Sequence, residues 1–388
     1  MYDIEQLRRE EFPHAAEVVY LNHAGISPLP QRTARRVQWV VEQLSRDPNR
    51  FFMHDAMPAM MELPNAVVRH INAASPGEIV PITSTVAALN AVAQAVEWRP
   101  GDNVIFCDLE FPSNAFPWLS LARDGVTARC ATAEGGTLTV ESLADHADER
   151  TRLVAVSAVQ FFSGARADLA ALGRFCREHG IIFAVDAIQS IGHVPVDVQA
   201  MHIDVLATGG MKSLLALPGV GFMYVRDAVA ETLLPRAIGS NATVNYMHWL
   251  AYDLTLQPGA ARFGAGTPNV PGLFAVLSSL ELLRELDVAA IDAHTSDLSR
   301  RAVERLTQHG YTVITPIEAI GPIVTFRSPL SSEETDKVVM SLAERNVAVA
   351  KHLDAAGSPY IRLSFHCYNT PAEIDRFIEV FQATVQER

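Results

Sequence analysis

The sequence predicts an α/β fold, a mostly parallel β-sheet between helices, followed by a smaller α+β unit. Three observations carry this prediction. From about residue 65 to 230, short apolar runs alternate with amphipathic runs of helical period. The apolar runs are nearly continuous, as strands covered on both faces are. Beyond about residue 275 the pattern changes to one long helical stretch and then shorter mixed units.

The elements follow in order. Residues 87–96 form a helical pattern after a Thr/Ser-rich turn. Strands are expected at 103–107, 153–156, 181–185, 205–208 and 221–225. Between them, 168–179 reads as a helix with Leu169, Leu172, Phe175 and Cys176 on one face. A long helix at 273–286 leads to helix 292–309, strands near 311–314 and 322–327, helix 332–345, strand 361–365 and helix 371–385. This divides the chain into an N-terminal segment (1–64) packing with the small domain, a large domain (65–275) and a small C-terminal domain (276–388).

Composition narrows the function. With 388 residues, 49% apolar, the chain can bury more than one core. A net charge of −13 argues against a nucleic-acid partner, whose phosphates need clustered Lys and Arg. No apolar run approaches a membrane span, since the longest, 213–225, contains Pro218, Gly219 and Gly221. The opening MYDIEQLRREEF has no basic head before an apolar stretch, and four scattered cysteines form no Cys-x-x-Cys. A cytoplasmic protein with free thiols is expected.

The chemistry concentrates between Ile181 and Lys212. An apolar run ends in Asp186, and a second, twenty-six residues on, ends in Gly209-Gly210-Met211-Lys212. Ligands on parallel sheets sit at the carboxyl ends of strands. There, neighbouring strands would present a carboxylate and an amine together. Pyridoxal 5′-phosphate (PLP) needs both: an amine to form a Schiff base and move protons at the substrate Cα, and a carboxylate to keep the pyridine nitrogen protonated. Either residue alone is more often a helix cap or a solvated side chain; the pair is the signal. Thr83-Ser84-Thr85-Val86 before the helix at 87–96 offers hydroxyls and free N–H groups for a phosphate, or only an ordinary cap. Phe111, after the strand at 103–107, is either a flat partner for the cofactor ring or a core aromatic.

Seven segments now stand in order along the chain: YLNHAGISPLP (20–30), TSTVAALN, EFPSNAFPW, VDAIQS (185–190), GGMK, RFGAGTPN (262–269) and YIRLSFHCYNT (360–370). Together they resemble the class V aminotransferase superfamily of fold-type I PLP enzymes, in the branch of cysteine desulfurases, selenocysteine lyases and isopenicillin-N epimerase-like proteins. The resemblance implies a seven-stranded-type sheet in the large domain and a homodimer. It implies Lys212 as the Schiff-base lysine and Asp186 as the pyridinium partner. Gln189 would lie near the PLP phenolic oxygen, Phe111 on the ring, and Thr85 and Val86 at the phosphate. Thr267 would reach the phosphate in the neighbouring subunit. Arg362 would clamp the substrate α-carboxylate, a fork-to-carboxylate contact.

Departures from the family pattern bear on the reaction. Cysteine desulfurases keep a nucleophilic Cys before the carboxylate-binding Arg, but Asn346–Tyr360 reads NVAVAKHLDAAGSPY, and Cys367 lies after Arg362. Met211 stands where His usually precedes the lysine. Phe161 stands where an Asn often reaches the phenolic oxygen, with Gln160 as a substitute donor. Phe111, Phe161, Phe162 and Met211 suggest an apolar site for a substrate with some hydrophobic body. Lys351 or His352 would be an acid or base, or simply exposed. Cys176 and His179 share a helix face without a second ligand pair, and Arg166 fits a salt bridge better than an anion site. The expected activity is formation of an external aldimine through Lys212 and labilisation of a bond at Cα. C–S β-elimination without a catalytic Cys comes first, with transamination or epimerisation as alternatives and a non-catalytic PLP-fold protein as the remote one.

Overall fold

The computed structural model describes residues 2–245 and 247–387. Its strands are β1 (Val19–Tyr20), β2 (Ile79–Ile82), β3 (Asn103–Cys107), β4 (Thr127–Ala131), β5 (Thr151–Ser157) and β6 (Ile182–Asp186). Then come β7 (Val205–Gly209), β8 (Gly221–Val225), β9 (Ile323–Arg327), β10 (Val347–Ala348), β11 (Ala350–Leu353) and β12 (Pro359–Ser364). Seven of them form one sheet in the order β2-β8-β7-β6-β5-β3-β4. The strands from β7 across to β4 are parallel, β8 runs against β7, and β2 runs against β8. Only β8 is therefore reversed, and the carboxyl ends of the other six share one edge.

Every residue of β3, β7 and β8 is buried, because the sheet is covered on both faces. One apolar cluster joins Val154, Val156, Phe183 and Leu206 to Leu172 and Cys176 of the helix Leu169–Glu178. The other joins Val104, Leu153, Ala184 and Val205 to Leu89 and Val92 of the helix Thr85–Ala95. Alternate residues of each strand thus feed opposite layers. Asp168 caps its helix by accepting from the Ala171 N–H at 3.0 Å.

A second, antiparallel sheet has the order β11-β12-β9 and packs on the helices Val288–Gln308, Ser332–Glu344 and Pro371–Gln386. β1 pairs with β10, with Val19 opposite Val347, and the Ser364 N–H donates to the Leu21 carbonyl at 2.9 Å. Leu7, Phe12 and Ala15 bury themselves against Leu283, Ile291 and Tyr368.

Differences from the sequence-based expectation lie at edges. β2 carries Pro81, which is tolerated because β2 pairs on one side only. β4, TARCA, is a half-exposed edge strand with little apolar signal. The strand expected near 311–314 reduces to an isolated bridge between Val313 and Phe326, with Pro316 close behind to stop a ladder. Among the described residues no helix is long and apolar enough to cross a membrane, and all four cysteines are free.

Candidate active site

Sheet register brings the chemistry together. Ser157 of β5 lies opposite Asp186 of β6, and Asp186 lies opposite Ala207 of β7. These are the carboxyl ends of three neighbouring strands, and Lys212 follows β7 by one tight turn. The Ser27 N–H donates to the Met211 carbonyl at 2.8 Å, the Ser213 hydroxyl to the Ile188 carbonyl at 2.9 Å, and the Leu215 N–H to the Lys212 carbonyl at 3.0 Å. The backbone on both sides of Lys212 is thereby fixed.

Thr85, Val86, Phe111, Phe161, Asp186, Gln189, Met211, Lys212, His352 and Arg362 all line one cavity of about 340 Å³. That is within the size range of small-molecule sites, roughly 300–1,000 Å³. A larger cleft of about 530 Å³, beside Arg36, Arg69 and Arg284, contains none of them.

The cavity holds polar groups that the protein leaves unspent. The buried Lys212 amine has no hydrogen bond among the described residues, and Nζ lies 5.3 Å from the centre of the Phe111 ring. Burial pushes its pKa down and Arg362 adds to this, while Asp186 opposes it. Asp186 is buried and accepts from the Ile188 N–H at 2.9 Å. Burial raises its pKa, as does nearby Glu110; the Ile188 N–H and Lys212 favour the charged form. Arg362 is 3% exposed, donates to the Phe161 carbonyl at 2.9 Å, and has no carboxylate partner among the described residues. Its Nε is buried without an acceptor. Burial lowers its pKa to about 10.

At the other end, Ser84 caps the helix Thr85–Ala95 by accepting from Ala87 N–H at 3.2 Å. Among the described residues the N–H groups of Thr85 and Val86 have no acceptor, and both residues line the cavity. The Thr85 hydroxyl accepts from the Gly209 N–H at 2.9 Å, tying the helix to β7. The Gln189 amide donates to the Ala24 carbonyl at 2.9 Å.

Several sequence expectations are redirected. Gln160 is buried and donates to Glu110 at 2.7 Å, outside the cavity lining, so it is no substitute donor there. Phe162 packs edge-on against Tyr360, ring centres 5.2 Å apart, and is not part of the lining. Lys351 turns away to Asp336 at 2.6 Å and the Ser332 hydroxyl at 2.7 Å. Arg166 pairs with Asp292. Cys176 is buried in the core, and no cluster of metal-ligating side chains exists among the described residues. Thr267 is exposed and does not line its own chain's cavity. No cysteine lines the cavity; Cys367 is fully buried beside Leu7 and Tyr368.

Two features went unread in the sequence. Glu110 is buried behind Phe111 and accepts from the Ser157 N–H at 2.7 Å, the Ser157 hydroxyl, the Asn114 amide at 2.9 Å and Gln160. This network anchors the end of β5 to the loop that carries Phe111. The other is a core of three buried histidines, His23, His193 and His366, behind Lys212. The Cys367 N–H donates to His366 Nδ1 at 2.8 Å, so Nε2 carries the proton and donates to the Ser213 carbonyl at 3.0 Å.

Burial is the largest cause holding all three imidazoles neutral, reaching about 4 for His366. Unfolded, each takes a proton near 6.5. At these three sites the unfolded chain therefore binds more protons below pH 6.5, so their contribution to stability falls as pH drops below that value. Three such groups give a slope of up to about 4 kcal/mol per pH unit. Urea unfolding of wild type and His193→Phe at pH 5, 6 and 7.5 should isolate one such share, with the variant's slope lower by up to about 1.4 kcal/mol per pH unit.

The sequence profile of aminotransferase class V matches residues 19–377. The chain belongs to this family. A probable cysteine desulfurase of Methanothermobacter thermautotrophicus is 29% identical over 391 residues, 96% of each protein. The cysteine desulfurase of Salmonella gallinarum is 31% identical over 339 residues, 83% of this chain and 82% of that one. The apo cysteine desulfurase of Thermococcus onnurineus matches with a TM-score of 0.88, over 100% of this chain and 99% of that one, at 24% identity. The cystine C–S lyase C-DES, in complex with cysteine persulfide, gives 0.87 over 96% and 99% at 22% identity. These two structures speak to the fold, which is that of fold-type I PLP enzymes.

This class V aminotransferase is a PLP-dependent enzyme. Its unspent groups fit that cofactor. Two free N–H groups at a helix start suit a phosphate, a buried carboxylate suits a pyridinium, and an unbonded buried amine suits an aldehyde.

Proposed function

We propose that this enzyme is a C–S lyase that carries out β-elimination on a cysteine-type amino acid, with no cysteine of its own taking part. One observation carries the reading: the buried, unpaired guanidinium of Arg362 shares a cavity with Lys212 and Asp186, and no thiol lines that cavity. An unpaired buried cation is costly and calls for an anionic ligand. The substrate α-carboxylate supplies one, and the missing thiol removes the nucleophile that forming a persulfide on the enzyme needs.

When bound, PLP supplies an electron sink for the bond that breaks at Cα. In this reading Lys212 attaches the cofactor and then carries the Cα proton. Asp186 holds the pyridine nitrogen protonated. Phe111 covers the ring, Gln189 stands at its phenolic oxygen, and the Thr85 and Val86 N–H groups hold the phosphate. Arg362 binds and orients the substrate. We also infer a homodimer in which Thr267 serves the neighbouring phosphate. Its exposure supports this, as do the exposed apolar side chains Leu250 and Tyr252 nearby in sequence. The chain then divides near residues 64 and 275.

The test is direct. Holoenzyme incubated with cysteine, cystine and S-alkylcysteines should release pyruvate, ammonia and the thiol or persulfide fragment in equal amounts, identified by mass spectrometry. Conversion of the cofactor to its amine form with a keto acid product, and no pyruvate from these substrates, would point to transamination instead.

A further inference from the structure

The register of the small sheet places a second titratable group over the same cavity. β11 pairs with β12 so that Ala350 lies opposite Arg362 and His352 opposite Tyr360. Side chains two apart on a strand share a face, as do directly opposed residues. His352 and Arg362 are therefore diagonal neighbours on one face, a relation that sets Cβ atoms about 7–8 Å apart or somewhat less. Lys351 takes the opposite face, where Asp336 and Ser332 hold it.

His352 lines the cavity with Lys212 and Arg362. Its ring stands edge-on to Phe161, centres 5.6 Å apart, and its Nε2 is buried without a hydrogen-bond partner. His23 Nε2 and His193 Nδ1 are also buried without a partner among the described residues, but neither residue lines the cavity. That of His352 waits beside the place where Arg362 would hold a carboxylate.

Resting on the elimination reading above, we propose that His352 is a second acid–base residue of this site, delivering a proton to the departing sulfur while Lys212 works at Cα. The Cα–H electron pair becomes the new Cα=Cβ bond as the Cβ–S bond breaks and its electron pair leaves on sulfur. The imidazolium N–H of His352 passes its proton to that sulfur, giving a neutral imidazole and a free thiol. The Cα proton goes to the Lys212 amine. Solvent restores both residues between turnovers.

The charge that His352 needs comes with the ligands. Without them, burial, then Arg362 and Lys212, hold its pKa down to about 4. A substrate carboxylate neutralises Arg362, the stronger of the two opposing charges. Of the other nearby ionisable groups, Tyr360 is neutral, Asp186 is committed to the cofactor nitrogen, and Lys351 is on the far face. Loading the site thus neutralises the stronger cation that opposes protonation.

Two measurements test this. In protein labelled at histidine, the His352 imidazole should titrate near its low value in the apoprotein. It should move up by at least one pH unit in PLP-loaded protein with 3-mercaptopropionate, which has the carboxylate and sulfur but no amine. No movement overturns the proposal. In kinetics, His352→Gln should lose about 100-fold with thiol leaving groups and no more than about 3-fold with β-chloroalanine, because chloride departs without a proton. Equal losses on both substrates would mark a merely structural residue and overturn it. Wild-type enzyme that eliminates neither substrate would instead sink the lyase reading, and the imidazole titration would still decide the role of His352.

Discussion

Lys212→Ala is expected to lower turnover by roughly 10⁴-fold or more and to abolish covalent fixation of PLP by borohydride. The Lys212 amine has no competing hydrogen bond, and burial favours its neutral, nucleophilic form. Removing it deletes both the covalent link and the Cα proton carrier. Lys212→Arg should do no better, since a guanidinium stays protonated and donates only. Neither variant should harm folding for lack of an ion pair, because no carboxylate lies within ion-pair distance of Lys212 among the described residues. Mass spectrometry of borohydride-treated protein reads the fixation, and equilibrium dialysis reads the weaker hold left to the phosphate and pyridine contacts. Fixation of PLP at another lysine in Lys212→Ala would overturn the assignment.

The parts of this site that sequence could reach were those set by strand ends. Asp186 and Lys212 end consecutive apolar runs, and parallel topology brings such ends to one edge whatever the loops do. Arg362 was legible because YIRLSF buries a charge among apolar residues. Lys351 and His352 could not be separated from sequence, because their choice of face depends on the register of β11 against β12. Phe161 and Phe162 posed the same problem in a turn. There Gly164, at φ +75°, holds backbone so close to Ile323 that an added Cβ would lie 2.1 Å from its carbonyl oxygen. Glu110 was hidden for another reason. A carboxylate just past a strand end reads as solvated or capping, and only the fold reveals five donors converging on it. The histidine core is wholly tertiary, with His23, His193 and His366 drawn from three distant segments.

Arg362→Met should separate stability from function with opposite signs. In the apoprotein, a guanidinium whose pKa falls on folding from its ordinary value to about 10 costs about 3 kcal/mol of stability at neutral pH, and its burial leaves little solvent to screen it. Methionine has similar length, adapts to irregular space and carries no charge. It does leave the Phe161 carbonyl without its donor, which returns about 1–3 kcal/mol of the gain. The apoprotein should therefore be roughly as stable as wild type or about 1 kcal/mol more so, measured by urea unfolding at pH 7.5. Catalysis should move the other way. Losing a buried charge-assisted clamp costs about 4 kcal/mol, which is roughly 10³-fold in kcat/KM. PLP binding should be unchanged, because the residues proposed to hold the phosphate and the aldehyde lie elsewhere in the cavity. Arg362→Lys should recover only a small part, since a single ammonium cannot hold a carboxylate in two parallel hydrogen bonds and fix its plane. A destabilised Arg362→Met apoprotein with normal kcat/KM would show that the guanidinium serves the fold. The opposite pair of results ties this buried, unpaired cation to the substrate.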